Sequence, residues 1–203
     1  IFQPAEEKGQ GALKMLKQGV LDDVDYLFGV HLRPIQEIPD CTASAAICHG
    51  AAGIIKGTIE GEDAHAARPH LGQNAIEVGA AIVHGLEGIR MDPLVPYSVK
   101  MTKLHAGSET GNIIPGKASF TLDARAQTNE AMRILRIKVN EVLRSVESIY
   151  HVKIKFKIHE GLVAAIVNEE AYDLMEQAII TVLGAEKLEP RITTPGGEDF
   201  HFY

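Results

Sequence analysis

Val152-Lys153-Ile154-Lys155-Phe156-Lys157-Ile158-His159 alternates without a break. In an extended chain Val152, Ile154, Phe156 and Ile158 fall on one side and Lys153, Lys155, Lys157 and His159 on the other. That two-residue period belongs to a strand with one face buried and one in water. The apolar face needs a covering layer, and the residues just upstream supply one. Met132, Leu135, Val139, Val142, Leu143, Val146 and Ile149 recur at spacings of three and four, and Thr128 is placed to cap that helix. Further upstream, Gly53 to Gly61, Ser98 to Ala106 and Lys117 to Ala126 read as strands, and Gln73 to Gly88 as a helix rich in small residues. The order strand, helix, strand, strand, helix, strand predicts a two-layer α+β unit of the ferredoxin-like kind, four strands and two helices, with one sheet face open.

The flanks read differently. Lys8 to Gln18 has a helical apolar pattern stopped by Gly19. Tyr26 to Leu32 is a short apolar run closed by Arg33-Pro34, which predicts a buried parallel strand ending at His31. Asn168 caps a second helix with Tyr172, Met175, Ala178, Ile179 and Val182 on one stripe, ended by Gly184. The expected organisation is therefore α/β, with a small domain at residues 50–160 inserted into a larger one represented by 1–49 and 161–203. The chain opens Ile1-Phe2-Gln3-Pro4 and closes Phe200-His201-Phe202-Tyr203. Such apolar ends are expected of a piece of a longer protein.

Composition is that of an ordinary globular chain, 45% apolar and 23% charged. No apolar run reaches the roughly eighteen residues of a membrane span, and no leader pattern opens the chain, so the expected compartment is the cytoplasm. Cys41 and Cys48 are too few for a disulfide framework. A formal net charge of −7 argues against a nucleic-acid partner, whose binding rests on a basic face.

Two places suggest chemistry. Glu6 and Glu7 lie side by side past a strand end, where repulsion between carboxylates is relieved by a shared cation or proton. One of them can bind a metal while the other takes a proton from water. Equally, two acids suit the positive end of a helix. His31, at the end of its own apolar run, would emerge at the same sheet edge as a ligand, or serve as a hydrogen-bonded core residue.

These residues sit within an ordered series: Phe2-Gln3-Pro4-Ala5-Glu6-Glu7, Phe28-Gly29-Val30-His31-Leu32-Arg33-Pro34, Gly61 to His70 with His65-Ala66-Ala67-Arg68-Pro69-His70, Gly111-Asn112-Ile113-Ile114-Pro115, Asp123-Ala124-Arg125 and Gly197-Glu198-Asp199-Phe200. The series resembles the metal-dependent aminoacylase, hippurate-hydrolase and carboxypeptidase G family, which includes the hydrolases of indoleacetyl-amino acid conjugates. The likeness runs along essentially the whole chain.

The resemblance implies a zinc-peptidase-like catalytic domain, here in part, with an inserted lid and dimerisation domain. It also implies cleavage of the amide bond of N-acyl amino acids or related peptide-like substrates. It assigns Glu6 as general base, Glu7 and His31 as metal ligands, His65 as the group that polarises the scissile carbonyl, and Asn112 and Arg125 as substrate-orienting residues. The implied cofactor is a divalent metal, two ions per site drawn from Zn, Mn, Co or Ni, and the implied assembly a homodimer through the lid. Independently of the family, Phe120, Leu122 and Ala124 on one side of their strand leave Arg125 on the open face, where its guanidinium can fork a carboxylate or pair with Asp123. Further ligands come, in the family, from a cysteine- and histidine-bearing segment upstream and a histidine downstream, and Cys41 and Cys48 do not match the former. Two ligands cannot hold a catalytic zinc firmly, so the 203-residue chain is expected to be inactive by itself. Two other readings are an interaction module built on the inserted unit and a ligand-binding relative that has lost catalysis.

Overall fold

The computed structural model describes residues 3–6 and 9–203, Glu160 by its backbone alone. The described residues separate into two compact units, Ile1–Ala51 with Leu162–Tyr203, and Ala52–Gly161. Elements are α1 (Gly11–Leu16), β1 (Ala43–Ser44), β2 (Ile47–His49), β3 (Ala51–Glu60), β4 (Ala64–His65), α2 (Ala75–Glu87), β5 (Tyr97–Ala106), β6 (Ile113–Ile114), β7 (Lys117–Ala126), α3 (Asn129–Tyr150), β8 (Lys153–Leu162), α4 (Glu169–Leu183), β9 (Leu188–Glu189) and β10 (Ile192–Thr194). No helix among the described residues is long and apolar enough to cross a membrane.

In the inserted unit the sheet order is β5-β7-β3-β8, which is the ferredoxin-like order for strands met as β3, β5, β7 and β8. Ile55 and Ile59 of β3, Leu122 of β7 and Ile154 of β8 are fully buried, as are Val78 and Ile82 of α2 and Leu135, Val139 and Leu143 of α3. The helices thus cover one sheet face. Thr128 accepts a hydrogen bond from the Ala131 N–H at 3.1 Å and starts α3 where the sequence predicts. β5 and β7 run antiparallel from Tyr97↔Ala126 to Ala106↔Ala118, with an irregularity between Met101 and Lys103. Gly57 is required: a Cβ there would sit 2.4 Å from the Phe120 ring and 2.9 Å from the Lys155 carbonyl oxygen.

The other unit holds two short parallel pairs, β1 with β9 and β10 with β2, the latter aligning Thr194 with His49. Gly19 takes the left-handed φ of +69° that stops the first helical stretch, though α1 itself is only six residues. Asn168 caps α4 through Ala171 N–H at 3.0 Å. Two expectations are corrected. Tyr26 to Leu32 is not a buried strand: it forms no strand and is exposed, with Val30 93% and Leu32 91% accessible. A parallel strand is buried only between neighbours, and none of the strand pairings described includes these residues. On α4, Tyr172, Met175 and Ile179 are at least half-covered, whereas Ala178 and Val182 are exposed, so the buried stripe is narrower than the periodicity implies.

Leu135→Ala should lower the unfolding free energy of the inserted unit by about 2–5 kcal/mol, because Leu135 is fully buried between α3 and the sheet. Ile137→Ala, one turn face away and 46% exposed, should cost about 0.5 kcal/mol or less. Urea denaturation of the two variants measures the difference, and equal losses would contradict the layer assignment.

Candidate functional site

Asp199 is 1% exposed and does not lie there uncompensated. Its carboxylate accepts from Gln3 Nε2 at 2.6 Å and from the Ala12 backbone N–H at 3.1 Å, and Tyr203 Oη donates to Gln3 Oε1 at 2.6 Å. Residues 196 apart in sequence are thereby tied together. The tie holds the segment preceding α1 against the Glu198-Asp199 turn, and that segment carries Glu6. Glu6, Glu198 and Asp199 each present a carboxylate oxygen within 4.8 Å of the others. Glu7 lies outside the described residues.

Glu198 links this cluster to His31. Glu198 Oε1 accepts from the Phe200 N–H at 3.4 Å, while Oε2 stands 3.9 Å from His31 Nε2. His31 Nδ1 is 2.6 Å from the Leu32 carbonyl oxygen. A carbonyl only accepts, so Nδ1 carries a ring proton, and in the neutral ring the lone pair is on Nε2, the atom that faces Glu198. That tautomer is the one a metal-ligating imidazole needs, and a backbone carbonyl is a common partner for fixing it. Three carboxylates and an imidazole form an oxygen- and nitrogen-donor set suited to a borderline divalent cation. The carboxylates of the described residues therefore fit the implied metal, and the His31 ring adjoins that group at Glu198.

Two more imidazoles lie on the same side. His49 Nδ1 and His201 Nε2 are 2.8 Å apart, and the His31 and His49 ring centroids are separated by 6.2 Å. His49 is 4% exposed. Burial, then the positive charge of His201, Arg33 and His31, pushes it down to about 4. Burial also lowers His201, with Glu198 opposing. Near neutrality both rings are uncharged and share one N–H between them. A cleft of about 340 Å³ is lined by His31, His49, Glu198 and His201 against Phe28 and Phe200. Neither His49 nor His201 stands out in the sequence. Only the pairing of β2 with β10 and the turn after it brings them together.

In the inserted unit, β4 pairs with β6 so that His65 lies opposite Ile113, and the Ala66 N–H reaches the Asn112 carbonyl at 2.9 Å. His65 Nδ1 accepts from the Ala67 N–H at 3.1 Å, so the ring proton resides on Nε2. Asn112 Nδ2 is 3.5 Å from that Nε2. Asp63 Oδ1 accepts from the Gly116 N–H at 2.6 Å and clamps the two segments. The expected His65 and Asn112 are thus neighbours, and His65 presents a donor.

Arg125 is on the open face as expected. Its fork is turned onto Asp123, with Nε to Oδ1 at 2.9 Å and Nη2 to Oδ2 at 3.3 Å, so of its two expected partners the structure shows Asp123. A substrate carboxylate would have to compete with that pair.

Residues 49–151 match the model of the peptidase dimerisation domain of the M20 family. The chain belongs to the M20 peptidase family. N-acetyl-L-cysteine deacetylase of Bacillus subtilis (strain 168) is 28% identical over 206 residues, covering 100% of this chain and 49% of that protein. IAA-amino acid hydrolase ILR1-like 2 of Arabidopsis thaliana is 26% identical over 210 residues, covering 100% of this chain and 47% of that protein. The solved structure of the Bacillus subtilis YXEP protein, described as a dinuclear metal binding peptidase from the M20 family, superimposes with a TM-score of 0.79 at 25% identity, covering 100% of this chain and 51% of that one. This M20 chain therefore spans about half the length of the curated relatives it matches.

The depressed His49 has a consequence for acid stability. Its folded value of about 4 lies below the ordinary 6.5, so the unfolded chain binds the proton first. Stability is complete above pH ~6.5, falls as pH drops toward ~4, and levels off below; the loss is about 3 kcal/mol at most. Urea midpoints at pH 7 and 4.5, without added metal, should show this slope in the parent chain and a shallower one in His49→Gln. An identical slope in both would mean that His49 is not the responsible group.

Proposed function

We propose that this M20 chain serves in a metal-dependent amidohydrolase that cleaves the amide bond of N-acyl amino acids or related peptide-like substrates. The observation that carries the reading is the setting of His31: a Leu32 carbonyl holds the Nδ1 proton, and Nε2 faces Glu198 beside Glu6. Its relatives, a deacetylase, an amino acid-conjugate hydrolase and a dinuclear metal binding peptidase, support the same class.

In this reading His31 and Glu7 would hold a divalent cation, Zn, Mn, Co or Ni, one of two ions per site. The metal supplies Lewis acidity, polarising a carbonyl and making water a stronger acid at neutral pH. Glu6 takes the proton from the attacking water and delivers it to the leaving amine. His65 donates its Nε2 proton to the carbonyl oxygen as negative charge develops there, an electrostatic contribution that is commonly the largest in such reactions. Asn112 steadies the same oxygen from the neighbouring segment. Arg125 exchanges Asp123 for the substrate's carboxylate, binding it with two parallel hydrogen bonds.

The inserted unit would join two copies into a homodimer, in keeping with the dimerisation-domain match. A cytoplasmic setting belongs to the same reading.

Glu6→Gln in the intact enzyme should retain metal, measured by elemental analysis, while kcat falls on the order of a hundredfold or more. Undiminished kcat would remove Glu6 from the mechanism. The 203-residue chain alone should show no metal-dependent turnover of N-acetyl amino acids, since Glu7 and His31 are too few ligands for a catalytic ion.

A further inference from the structure

His31 sits in a stretch that no strand pairing holds. None of the pairings among the described strands includes Tyr26 to Leu32, and Val30 and Leu32, on either side of His31, are almost fully exposed. A side chain on such a stretch keeps a fixed place only if its neighbours are anchored by packing and hydrogen bonds. Two anchors are present, and both reach residues 194–200, the segment that carries Glu198. Upstream, Gly29 lies so close to Phe200 that a Cβ would stand 3.0 Å from the ring. Downstream, Arg33 reaches Thr194.

The downstream anchor is a closed set of polar contacts. Pro34 starts a turn in which its carbonyl accepts from the Glu37 and Ile38 N–H groups at 2.9 and 3.2 Å, and the turn brings Glu37 back to Arg33. Arg33 Nε and Nη2 both donate to Glu37 Oε2, at 2.8 and 2.6 Å, a charge-assisted pair. Glu37 Oε1 is left for Thr194, whose hydroxyl donates to it at 3.4 Å. The same hydroxyl oxygen accepts from Arg33 Nη2 and from the Gly196 N–H, again at 3.4 Å. A hydroxyl offers one donor and two acceptor positions, so all three are taken. Each of these three contacts is long for a hydrogen bond, but Thr194 is buried and the Arg33 side chain is only 12% exposed, so a lost partner is poorly replaced by water. Thr194 is itself fixed by backbone: β10 aligns it with His49, and the Gly50 N–H donates to the Thr194 and Gly196 carbonyls at 3.0 Å.

We propose that Arg33, Glu37 and Thr194 are positioning residues that fasten the His31 stretch to the Glu198 turn, and so set the separation of His31 Nε2 from Glu198 Oε2, 3.9 Å in this structure. They act on the cation through His31. The proposal rests on the amidohydrolase reading for the role of His31 as a ligand, and adds the device that holds that ligand in register with Glu198. His31 is two residues from Arg33 and Glu198 four from Thr194. Backbone of those lengths reaches at most about 7 and 14 Å, so a displacement at the anchor passes to both groups with little slack. The Gly29–Phe200 contact closes the other end, and the two stretches run between shared anchors. If the three residues served stability alone, their loss would lower the unfolding free energy and leave the geometry of the bound cation unchanged.

The test uses the intact enzyme stripped of metal, with the variants Thr194→Val, Thr194→Ser and Glu37→Ala, and His31→Ala as reference. Valine keeps the branched shape and removes the hydroxyl, serine keeps the hydroxyl, and Glu37 lies on an exposed turn, so Glu37→Ala decides the matter should Thr194→Val fail to fold. Titration with Co²⁺ alone gives the affinity and, from the visible d–d absorption, the ligand geometry. Thr194→Val and Glu37→Ala should bind Co²⁺ about 10–100-fold more weakly with an altered spectrum, the usual scale for losing a group that orients a ligand. Thr194→Ser should restore the parent's spectrum and most of its affinity. In metal-free crystals of Thr194→Val and Glu37→Ala, His31 Nε2 should stand farther from Glu198 than the parent's 3.9 Å. Parental affinity and spectrum in Glu37→Ala, weaker binding that serine does not restore, or an unmoved His31 in the variant crystals overturns the proposal. Undiminished Co²⁺ binding by His31→Ala, with the displacement present in the variant crystals, would instead sink the reading of His31 as a ligand and leave the positioning role standing.

Discussion

Burying a carboxylate is costly unless hydrogen bonds replace its water, and in this chain Asp199 meets that condition by accepting from residues near the opposite end of the sequence. Gln3 and the first turn of α1 must be in place for Asp199 to be satisfied, and Glu6 lies between them. The position of Glu6 beside Glu198 is thus a by-product of satisfying a neighbouring charge. A similar economy fixes His31, whose own backbone neighbour, the Leu32 carbonyl, selects the tautomer that turns Nε2 outward.

The two histidine settings run in opposite directions. His31 and His65 are exposed rings whose tautomers are set by single backbone groups, one an acceptor and one a donor. The first is left as a lone-pair ligand, the second as a proton donor. His49 and His201 are drawn inward, where burial lowers both and, for His49, neighbouring positive charge adds to it. An uncharged pair beside a carboxylate cluster leaves the negative potential of that cluster intact, which is the condition for attracting a cation.

In the inserted unit the same sheet serves two purposes through its two faces. The apolar face makes the core with α2 and α3, and the polar face carries Arg125 and the lysines. Because pleating sends successive residues to opposite sides, neither face can change register without exchanging roles with the other. The close fit at Gly57 against Phe120 and the Lys155 carbonyl pins that register in the middle of the sheet.

Strong local periodicity made β8, α3 and the Thr128 and Asn168 caps legible in the sequence, since amphipathic alternation and a capping side chain act within a few residues. The ordered motifs made the family legible, and with it the roles suggested for Glu6, His31, His65, Asn112 and Arg125. What depends on partners was not legible. An apolar run such as Tyr26 to Leu32 becomes a buried strand only beside neighbouring strands, and Val182 of α4 is exposed although its spacing matches the stripe. The capture of Arg125 by Asp123 was one of two open possibilities, settled by rotamers. The convergence of His49 on His201 and of Glu198 on His31 joins residues distant in the chain, and only the folded backbone brings such groups within reach.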